Sequence, residues 1–255
     1  MPSVLPELPI SVSLHRLFPQ ASFVGCGDVV ATDVVEDSRQ ANSSTVFAAI
    51  PGTQVDGTQF VRDAIERGCP AILTERPLAD ADVPQCVVPD SRAAFAQLCD
   101  AVVGHPARRL KIHGVTGTNG KTTVNWLIRS IFQSVGHSCG VMGTIEYHDG
   151  IRSEPARLST PDARTFARCF RRMVDNNARH AAIELSSHAL HQGRIDNVRL
   201  ASAVVTNITQ DHFDYHKTFE EYTAAKARIL DYVTSDGLIA ICADDAGSRQ
   251  IIPAA

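Results

Sequence analysis

A glycine-rich stretch near the middle of the chain carries the residue types that bind phosphate. It covers residues 114–123 and has the sequence GVTGTNGKTT. Glycines allow the backbone to adopt positive φ and to approach a ligand closely, which we expect at Gly114, Gly117 and Gly120. Lys121 can reach the outer phosphates of a nucleotide, and the Thr122 hydroxyl can ligate the accompanying Mg²⁺.

The residues around this stretch predict a strand, a turn and a helix in that order. Residues 110–113 are typical of a strand, and residues 124–132 show helical spacing of their apolar side chains. This is the context that a phosphate-binding loop requires, because the helix N-terminus presents N–H donors to an anion. Gly114 precedes Lys121 by seven residues, one more than separates the first glycine and the lysine in the pattern G-x-x-x-x-G-K-[ST]. The alternative is a glycine-rich turn that binds nothing.

Two further positions combine charge with predicted strand ends. Glu184 lies in the apolar segment 181–185, where a charge is costly unless it is paired or bound to a metal ion. His212 lies in the polar segment 209–216 together with Asp211, Asp214 and His216, which makes it a candidate metal ligand. The alternatives are a structural salt bridge for Glu184 and a surface position for His212.

Lys226 falls on the apolar stripe of a helix predicted over residues 219–231. It follows Tyr222 by four residues and precedes Ile229 by three, so it would face inward. Burial would lower its pKa, and the uncharged amine could take up CO₂ as a carbamate that ligates a metal ion. The alternative is a lysine that extends its ammonium group to the surface.

Hydroxyl, amide and basic side chains cluster in segments 158–162 and 186–194. Such side chains are suitable donors to a polar, anionic substrate. The alternative is that they cap helices and stabilise loops. The candidates are Ser159, Thr160, Ser186, Gln192 and Arg194.

Strands and helices alternate along most of the chain, which predicts an α/β fold with a mostly parallel sheet. Gly104-His105-Pro106 interrupts the pattern just before a new strand-loop-helix unit. We therefore expect two domains, residues 1–108 and residues 109–255. Ligands of such sheets gather beyond the carboxyl ends of the strands, where the candidate residues are predicted to lie.

Composition limits the class of protein. The 255 residues are 44% hydrophobic, enough for a substantial core, and the net charge of −4 argues against a broad nucleic-acid surface. No apolar run is long enough for a membrane span, and residues 1–7 lack the features of a signal peptide. The seven cysteines are scattered singly, which indicates reduced thiols and a cytoplasmic protein.

The motifs together resemble those of the Mur ligases of peptidoglycan synthesis, most closely the UDP-N-acetylmuramoyl-tripeptide synthetase (MurE-type) branch. GTNGKTT alone would also fit ligases of the folylpolyglutamate synthase type, but the segments ELSSHAL and DHFDYH narrow the resemblance. The matching segments, in family order, are DSR at 37–39, FAAIPG at 47–52, DG at 56–57, GTNGKTT at 117–123, ELSSHAL at 184–190, DHFDYH at 211–216 and YTAAK at 222–226.

The resemblance implies an N-terminal α/β substrate-binding domain, a central phosphate-loop domain and an ATP-dependent amide-bond ligase. ATP would phosphorylate the free carboxylate of UDP-MurNAc-L-Ala-D-Glu. The amine of a diamino acid, meso-diaminopimelate or L-lysine, would then attack the acyl phosphate and release phosphate. The cations of the site would neutralise the transferring phosphoryl group and the attacking carboxylate.

Matched positions imply roles for individual residues. The catalytic set would be Lys121, Glu184, His212 and Lys226. Mg²⁺ would be held by Thr122 and Glu184 at one site, and by Glu184, His212 and carbamylated Lys226 at another. The ATP phosphates would contact Gly117, Thr118, Asn119, Gly120, Lys121, Thr122 and Thr123. The uridine end would contact Ser38 and Gln54, and the muramoyl-peptide would contact Ser159, Thr160, Ser186, Gln192 and Arg194.

The chain departs from the family pattern in sequence and in length. Cys242 replaces an asparagine that relatives usually place near the adenine, and Leu158-Ser159 replaces Asn-Thr. Family members continue past the last residue here into a C-terminal domain that binds the amino acid and closes over ATP. We therefore expect residues 1–255 alone to turn over poorly. An alternative function, of a different class, is binding without catalysis: the chain would be a non-catalytic remnant that binds a nucleotide or a UDP-sugar.

Overall fold

A computed structural model of the protein describes residues 10–52, 55–209 and 215–254. The described residues divide into two compact units, with the division between His105 and Pro106. Each unit contains a sheet with parallel strands and its own helices. The predicted α/β class is therefore confirmed.

The first unit is built on a five-stranded sheet. The unit contains the strands β1 (Val12–Ser13), β2 (Ser22–Val24), β3 (Val30–Ala31), β4 (Asp33–Val35), β5 (Thr45–Ala48), β6 (Ala71–Thr74) and β7 (Gln85–Val87), of which β1 and β3 lie outside the five-stranded sheet. Its helices are α1 (Leu14–Leu17), α2 (Val61–Glu66) and α3 (Ser91–Ala101). Short 3₁₀ helices cover Ser38–Gln40 and Gly57–Phe60. The sheet order is β2-β7-β6-β5-β4, parallel except for β2, and β1 pairs with β3 in a separate ladder.

The second unit is built on a seven-stranded sheet in the order β11-β10-β9-β12-β8-β13-β14. The strands are β8 (Lys111–Thr116), β9 (Cys139–Met142), β10 (Glu146–His148), β11 (Ser153–Pro155), β12 (His180–Glu184), β13 (Leu200–Val205) and β14 (Val233–Ile241). The helices are α4 (Lys121–Ser134), α5 (Ala163–Asp175), α6 (Ser187–His191), α7 (Phe219–Ala227) and α8 (Ala246–Arg249). Short 3₁₀ helices cover Pro106–Arg109, Arg228–Tyr232 and Ile252–Ala254. Strands β9, β12, β8, β13 and β14 are parallel.

Helices α4 and α5 cover opposite faces of this sheet. Ile112 of β8 belongs to the core cluster that contains Phe170 and Met173 of α5, whereas the neighbouring His113 contacts Phe132 of α4. Asp162 caps α5 by accepting a hydrogen bond from the Thr165 N–H. None of the helices within the described ranges has both the length and the apolar character to cross a bilayer.

Helix α4 forms as its apolar spacing predicts, but only part of its apolar surface is buried. Phe132 packs on the sheet by stacking against His180 at a ring-centroid distance of 3.8 Å. Leu127 and Ile131 point away from it and are 55% and 63% exposed. The helix predicted over residues 219–231 is also shorter than expected, because α7 ends at Ala227 and the chain tightens into the 3₁₀ helix Arg228–Tyr232.

The turn between β8 and α4 depends on two of its three glycines. Gly117 and Gly120 have φ values of +147° and +83°. A Cβ atom on Gly117 would lie 1.9 Å from Oγ1 of Thr206. The expectation of positive φ at Gly114 is wrong, since it is a regular residue of β8. Its missing Cβ instead leaves room for Leu200 Cδ1, which would lie at 2.8 Å.

Gly117→Ala is expected to lower the free energy of unfolding by about 3 kcal/mol, because it combines a strained φ with a clash. Urea unfolding measures the loss. The matched control is Gly136→Ala, which also has positive φ but meets no atom within 4 Å. The control is expected to lose about 1 kcal/mol. Equal losses in the two variants would contradict the close approach of Gly117 to Thr206.

A cluster of histidines lies at the amino ends of β8 and β12. The ring nitrogens of His113 lie 2.8 Å from Ser202 Oγ and 3.1 Å from Nδ1 of His180. Burial, and then the neighbouring His180 and Lys111, lower the pKa of His113 from 6.5 to about 4. The imidazole is therefore neutral at pH 7 in the folded chain.

Stability is expected to fall as His113 becomes protonated. Because its folded pKa lies below the ordinary value of 6.5, the unfolded chain binds more protons between about pH 4 and 6.5. The full shift corresponds to about 3 kcal/mol, which partial exposure of the ring reduces to about 2 kcal/mol. This contribution is complete above pH 6.5 and is lost as the pH falls toward 4. Urea unfolding of wild type and His113→Phe across this range measures it.

The His113→Phe variant is expected to show a shallower loss of stability on acidification than wild type. His15→Phe is the control, because it removes an exposed imidazole from the first unit. Parallel pH profiles for wild type and His113→Phe would show that the buried imidazole does not contribute to the pH dependence.

Candidate active site

The carboxyl ends of β8, β12 and β13 lie side by side in the sheet. Glu184 of β12 pairs with Val115 of β8, and Val205 of β13 pairs with Thr116. The Thr116 hydroxyl also donates to the carbonyl of Leu185 at 2.7 Å. The loops that follow the three strands therefore share one edge, as expected for a ligand site in a parallel sheet.

Asn207, just after β13, joins its loop to the glycine-rich turn. Its Oδ1 accepts from the Asn119 N–H at 2.9 Å, and its Nδ2 donates to the Asn119 carbonyl at 3.0 Å. The Asn207 carbonyl accepts from the Thr118 N–H at 2.8 Å. Thr206 Oγ1 donates to the Asn119 carbonyl at 2.6 Å. These bonds fix the backbone of the turn, although Asn119 and Gly120 themselves are exposed.

Two lysines donate to the same carbonyl oxygen in the turn. Lys121 Nζ lies 3.0 Å from the Gly117 carbonyl oxygen and 2.9 Å from that of Thr118. Lys226 Nζ reaches the Gly117 oxygen at 2.8 Å from α7. Lys226 is 1% exposed, so the prediction that it faces inward is confirmed and the surface alternative is wrong.

The first turn of α4 adds backbone donors beside these lysines. Thr122 and Thr123 occupy this turn, where an α-helix has no carbonyl within itself for its first N–H groups. Gly120 is the N-cap, and its side-chain-free backbone leaves the approach open. The N–H groups, the positive end of the helix dipole and Lys121 together make a site for an anion.

Glu184 is a carboxylate with 1% exposure at the end of β12. Its Oε1 accepts from the Thr144 N–H at 3.1 Å, and its Oε2 accepts from the Thr144 hydroxyl at 3.0 Å. Gly143 permits this approach, since a Cβ there would lie 2.1 Å from Oε1. Within the described ranges no ion pair neutralises Glu184, so nothing in that part of the chain supports the salt-bridge alternative.

Four of the predicted substrate residues form one hydrogen-bonded network beside Glu184. Thr160 Oγ1 donates to the Glu184 carbonyl at 2.9 Å and accepts from the Ser186 N–H at 2.9 Å. The Arg194 guanidinium donates to the Thr160 carbonyl at 2.5 Å and to Gln192 Oε1 at 2.8 and 3.0 Å. Ser186 also caps α6, which bears out the capping alternative for that residue.

The other predicted residues are more dispersed. Ser159 Oγ lies 3.0 Å from the Thr144 hydroxyl oxygen, to which it can donate, and so adjoins the Glu184 group. Ser38 belongs to the first unit, where it is 5% exposed and its hydroxyl bond lowers the pKa of Asp63. Gln54 and His212 lie outside the described residues.

The residues present fit a divalent cation in part. Mg²⁺ prefers oxygen ligands such as carboxylates. Glu184 is a buried carboxylate without a cationic partner among the described side chains. Lys226 could ligate a metal only as a carbamate, because its ammonium group has no lone pair. No three His, Cys, Asp or Glu side chains between residues 10 and 254, outside the two gaps, come together as a metal site.

Sequence reasoning missed Asn207 and Thr144 as members of the site. Asn207 carries a usable signal, since it is a polar residue directly after an apolar strand, where ligands of parallel sheets bind. Thr144 carries none, because its contact with Glu184 comes from the pairing of β9 and β12 and not from local sequence.

Two family models match the chain. The Mur ligase middle domain matches residues 115–255, and the model described as "Mur ligase family, catalytic domain" matches residues 32–115. The chain is 47% identical over 206 residues to the UDP-N-acetylmuramoyl-L-alanyl-D-glutamate–2,6-diaminopimelate ligase of Geobacillus kaustophilus, covering 81% of this chain and 42% of that protein. The Aquifex aeolicus ligase of the same name is 38% identical over 216 residues, covering 85% and 44%.

Solved structures agree with these matches. A ligase of the same name superposes with a TM-score of 0.77 at 28% identity, covering 96% of this chain and 50% of the other. MurF from Acinetobacter baumannii shares the fold, with a TM-score of 0.66 at 22% identity, covering 97% and 52%. The chain thus spans about half the length of the relatives it matches. Because the middle-domain model alone covers more than half of the chain, the protein belongs to the Mur ligase family.

Proposed function

We propose that the chain is the N-terminal part of an ATP-dependent ligase that joins a diamino acid to UDP-MurNAc-L-Ala-D-Glu. The observation that best supports this proposal is that the glycine-rich turn, the buried carboxylate of Glu184 and the buried Lys226 lie at one edge of the sheet. The relatives named as 2,6-diaminopimelate ligases supply the substrate class, and 2,6-diaminopimelate is the amine donor we favour over lysine.

The two units suggest a division of labour within this proposal. Residues 1–108, with Ser38 and Gln54, would bind the UDP end of the substrate. Residues 109–255 would bind ATP and the muramoyl-peptide, the latter through Thr160, Gln192 and Arg194. Seven free thiols and the use of ATP are consistent with a cytoplasmic enzyme.

The loop would bind the ATP triphosphate with little chemistry of its own. The N–H groups at the start of α4 and the Lys121 ammonium would hold the β- and γ-phosphates. Phosphate binding would require Lys121 to leave the carbonyls of Gly117 and Thr118, which it contacts here. The D-Glu carboxylate would then attack the γ-phosphorus in line, and ADP would leave.

Positive charge must balance the anions at this step, and Glu184 would help to supply it by holding Mg²⁺. Thr122, His212 and carbamylated Lys226 would be the other ligands. When bound, Mg²⁺ stabilises the charge on the transferring phosphoryl group. Arg194 would orient the peptide carboxylate, and the second half-reaction, attack of the diamino acid on the acyl phosphate, would release phosphate.

Lys121→Ala is expected to weaken MgATP binding about 30- to 100-fold, because it removes a charge-assisted contact to phosphate. Binding of UDP-MurNAc-L-Ala-D-Glu is expected to be unchanged. The matched control is Lys111→Ala at the opposite end of β8, which should bind both ligands as wild type does. Trp126 of α4 is the only tryptophan and provides a fluorescence signal for the nucleotide titration.

The same proteins should be tested for phosphate release with both substrates and 2,6-diaminopimelate. Release that depends on the UDP-substrate would establish that these residues suffice for the first step. Binding of both ligands without release would agree with the ligase role in a longer polypeptide. ATP binding without any affinity for the UDP-substrate would contradict the ligase proposal and favour another nucleotide-binding function.

Glu184→Gln is expected to separate a metal-binding role from a structural one. The glutamine oxygen still accepts from the Thr144 N–H, and its NH₂ group can donate to the Thr144 hydroxyl in place of the bond that the carboxylate accepts. Because the buried charge is removed, the variant should melt at or above the wild-type temperature in EDTA. Mg²⁺ should strengthen ADP binding to wild type but have little effect on the variant. A Glu184→Gln protein that melts well below wild type and keeps its Mg²⁺ response would contradict the metal-binding role.

A further inference from the structure

The helix that carries Lys226 contacts the glycine-rich turn at two consecutive residues. Lys226 reaches the Gly117 carbonyl, and Tyr222, one turn earlier on α7, places its hydroxyl 3.1 Å from Thr118 Oγ1. The Lys226 ammonium lies 4.6 Å from the centre of the Tyr222 ring. Tyr222 and Lys226, which are four residues apart on one face of α7, therefore contact the turn together.

The hydroxyl of Thr118 has a full set of partners in this arrangement. It donates to the Thr209 carbonyl at 3.2 Å and accepts from the Thr209 N–H at 2.9 Å. With its proton used in this way, Thr118 accepts from the Tyr222 hydroxyl, which becomes the donor. Tyr222 therefore connects α7 with both the glycine-rich turn and the loop after β13.

Packing alone does not account for a tyrosine at this position. Tyr222 is fully buried and belongs to the main core cluster of the second unit. A phenylalanine would fill the same volume, and a buried hydroxyl is unfavourable unless it is hydrogen-bonded. The Tyr222 hydroxyl points toward the turn and contacts Thr118. Thr118 directly follows Gly117, whose carbonyl accepts from Lys226.

We propose that Tyr222 is a positioning residue for phosphate binding: its hydroxyl fixes Thr118, and its ring holds Lys226 beneath Gly117, so that the turn keeps the shape that accepts a nucleotide. The inference rests on the proposed nucleotide-binding function. Tyr222 acts through Thr118 and Lys226 and contacts no phosphate itself. Movement of α7 would reach the turn through both contacts.

The test compares Tyr222→Phe with Tyr232→Phe in the 255-residue chain. Tyr232 is a matched control, because it is also buried in the same core and its hydroxyl donates to Asp196, away from the turn. Both variants are expected to melt at a similar, lower temperature. Only Tyr222→Phe should weaken MgATP binding, by about five- to tenfold as measured with Trp126 fluorescence.

A double-mutant cycle with Thr118→Val makes the test specific to one hydrogen bond. Thr118→Val should weaken MgATP binding, and adding Tyr222→Phe to it should cost less than about twofold more. If Tyr222→Phe does not fold, Thr118→Val still removes the same bond from the other side, and wild-type affinity in that variant would overturn the proposal.

The outcomes distinguish the two proposals. Wild-type nucleotide affinity in Tyr222→Phe, or fully additive losses in the cycle, would overturn the positioning role and leave the nucleotide site intact. Equal losses of affinity in Tyr222→Phe and Tyr232→Phe would also overturn it. A wild-type chain that binds no MgATP would overturn both the nucleotide site and the role of Tyr222.

Discussion

The parallel pairing of β8 with β12 on one side and β13 on the other is the constraint on which the candidate site depends. Parallel strands end at the same edge, so this order brings Glu184, the glycine-rich turn and Asn207 together although they are far apart in sequence. The pairing continues beyond the strands, because the Thr206 N–H still donates to the Thr116 carbonyl at 3.0 Å. The register of the sheet therefore also positions the loops that follow these strands.

Within this sheet, the site places an acidic and a basic side chain where water is scarce. Glu184 and Lys226 are each 1% exposed, and each is satisfied by polar groups of the chain, Thr144 and Gly117 respectively. A buried carboxylate held by neutral groups, as Glu184 is among the described side chains, is less stable than one in water or in an ion pair. The arrangement is one that natural proteins keep mainly where binding or catalysis needs it.

The sequence was most informative where function needs a fixed order of residues. The GTNGKTT segment predicts the strand, turn and helix around Lys121. Helical spacing places Lys226 on the apolar stripe of its helix, and the family resemblance favours the buried position that the structure shows. Long-range contacts were not predictable in this way. The approach of Thr144 to Glu184 depends on which strands pair, and the packing role of Gly114 depends on Leu200, a residue of the neighbouring strand.

The Lys121 ammonium group at the glycine-rich turn contrasts with the chain as a whole, which carries a net charge of −4. A cationic spot on an anionic molecule concentrates the electrostatic field, so polyanions are repelled by most of the surface and attracted at the turn. This orients an approaching triphosphate before any contact forms. The association rate of such a ligand should therefore decrease as added salt screens the field over a Debye length of about 8 Å at physiological ionic strength.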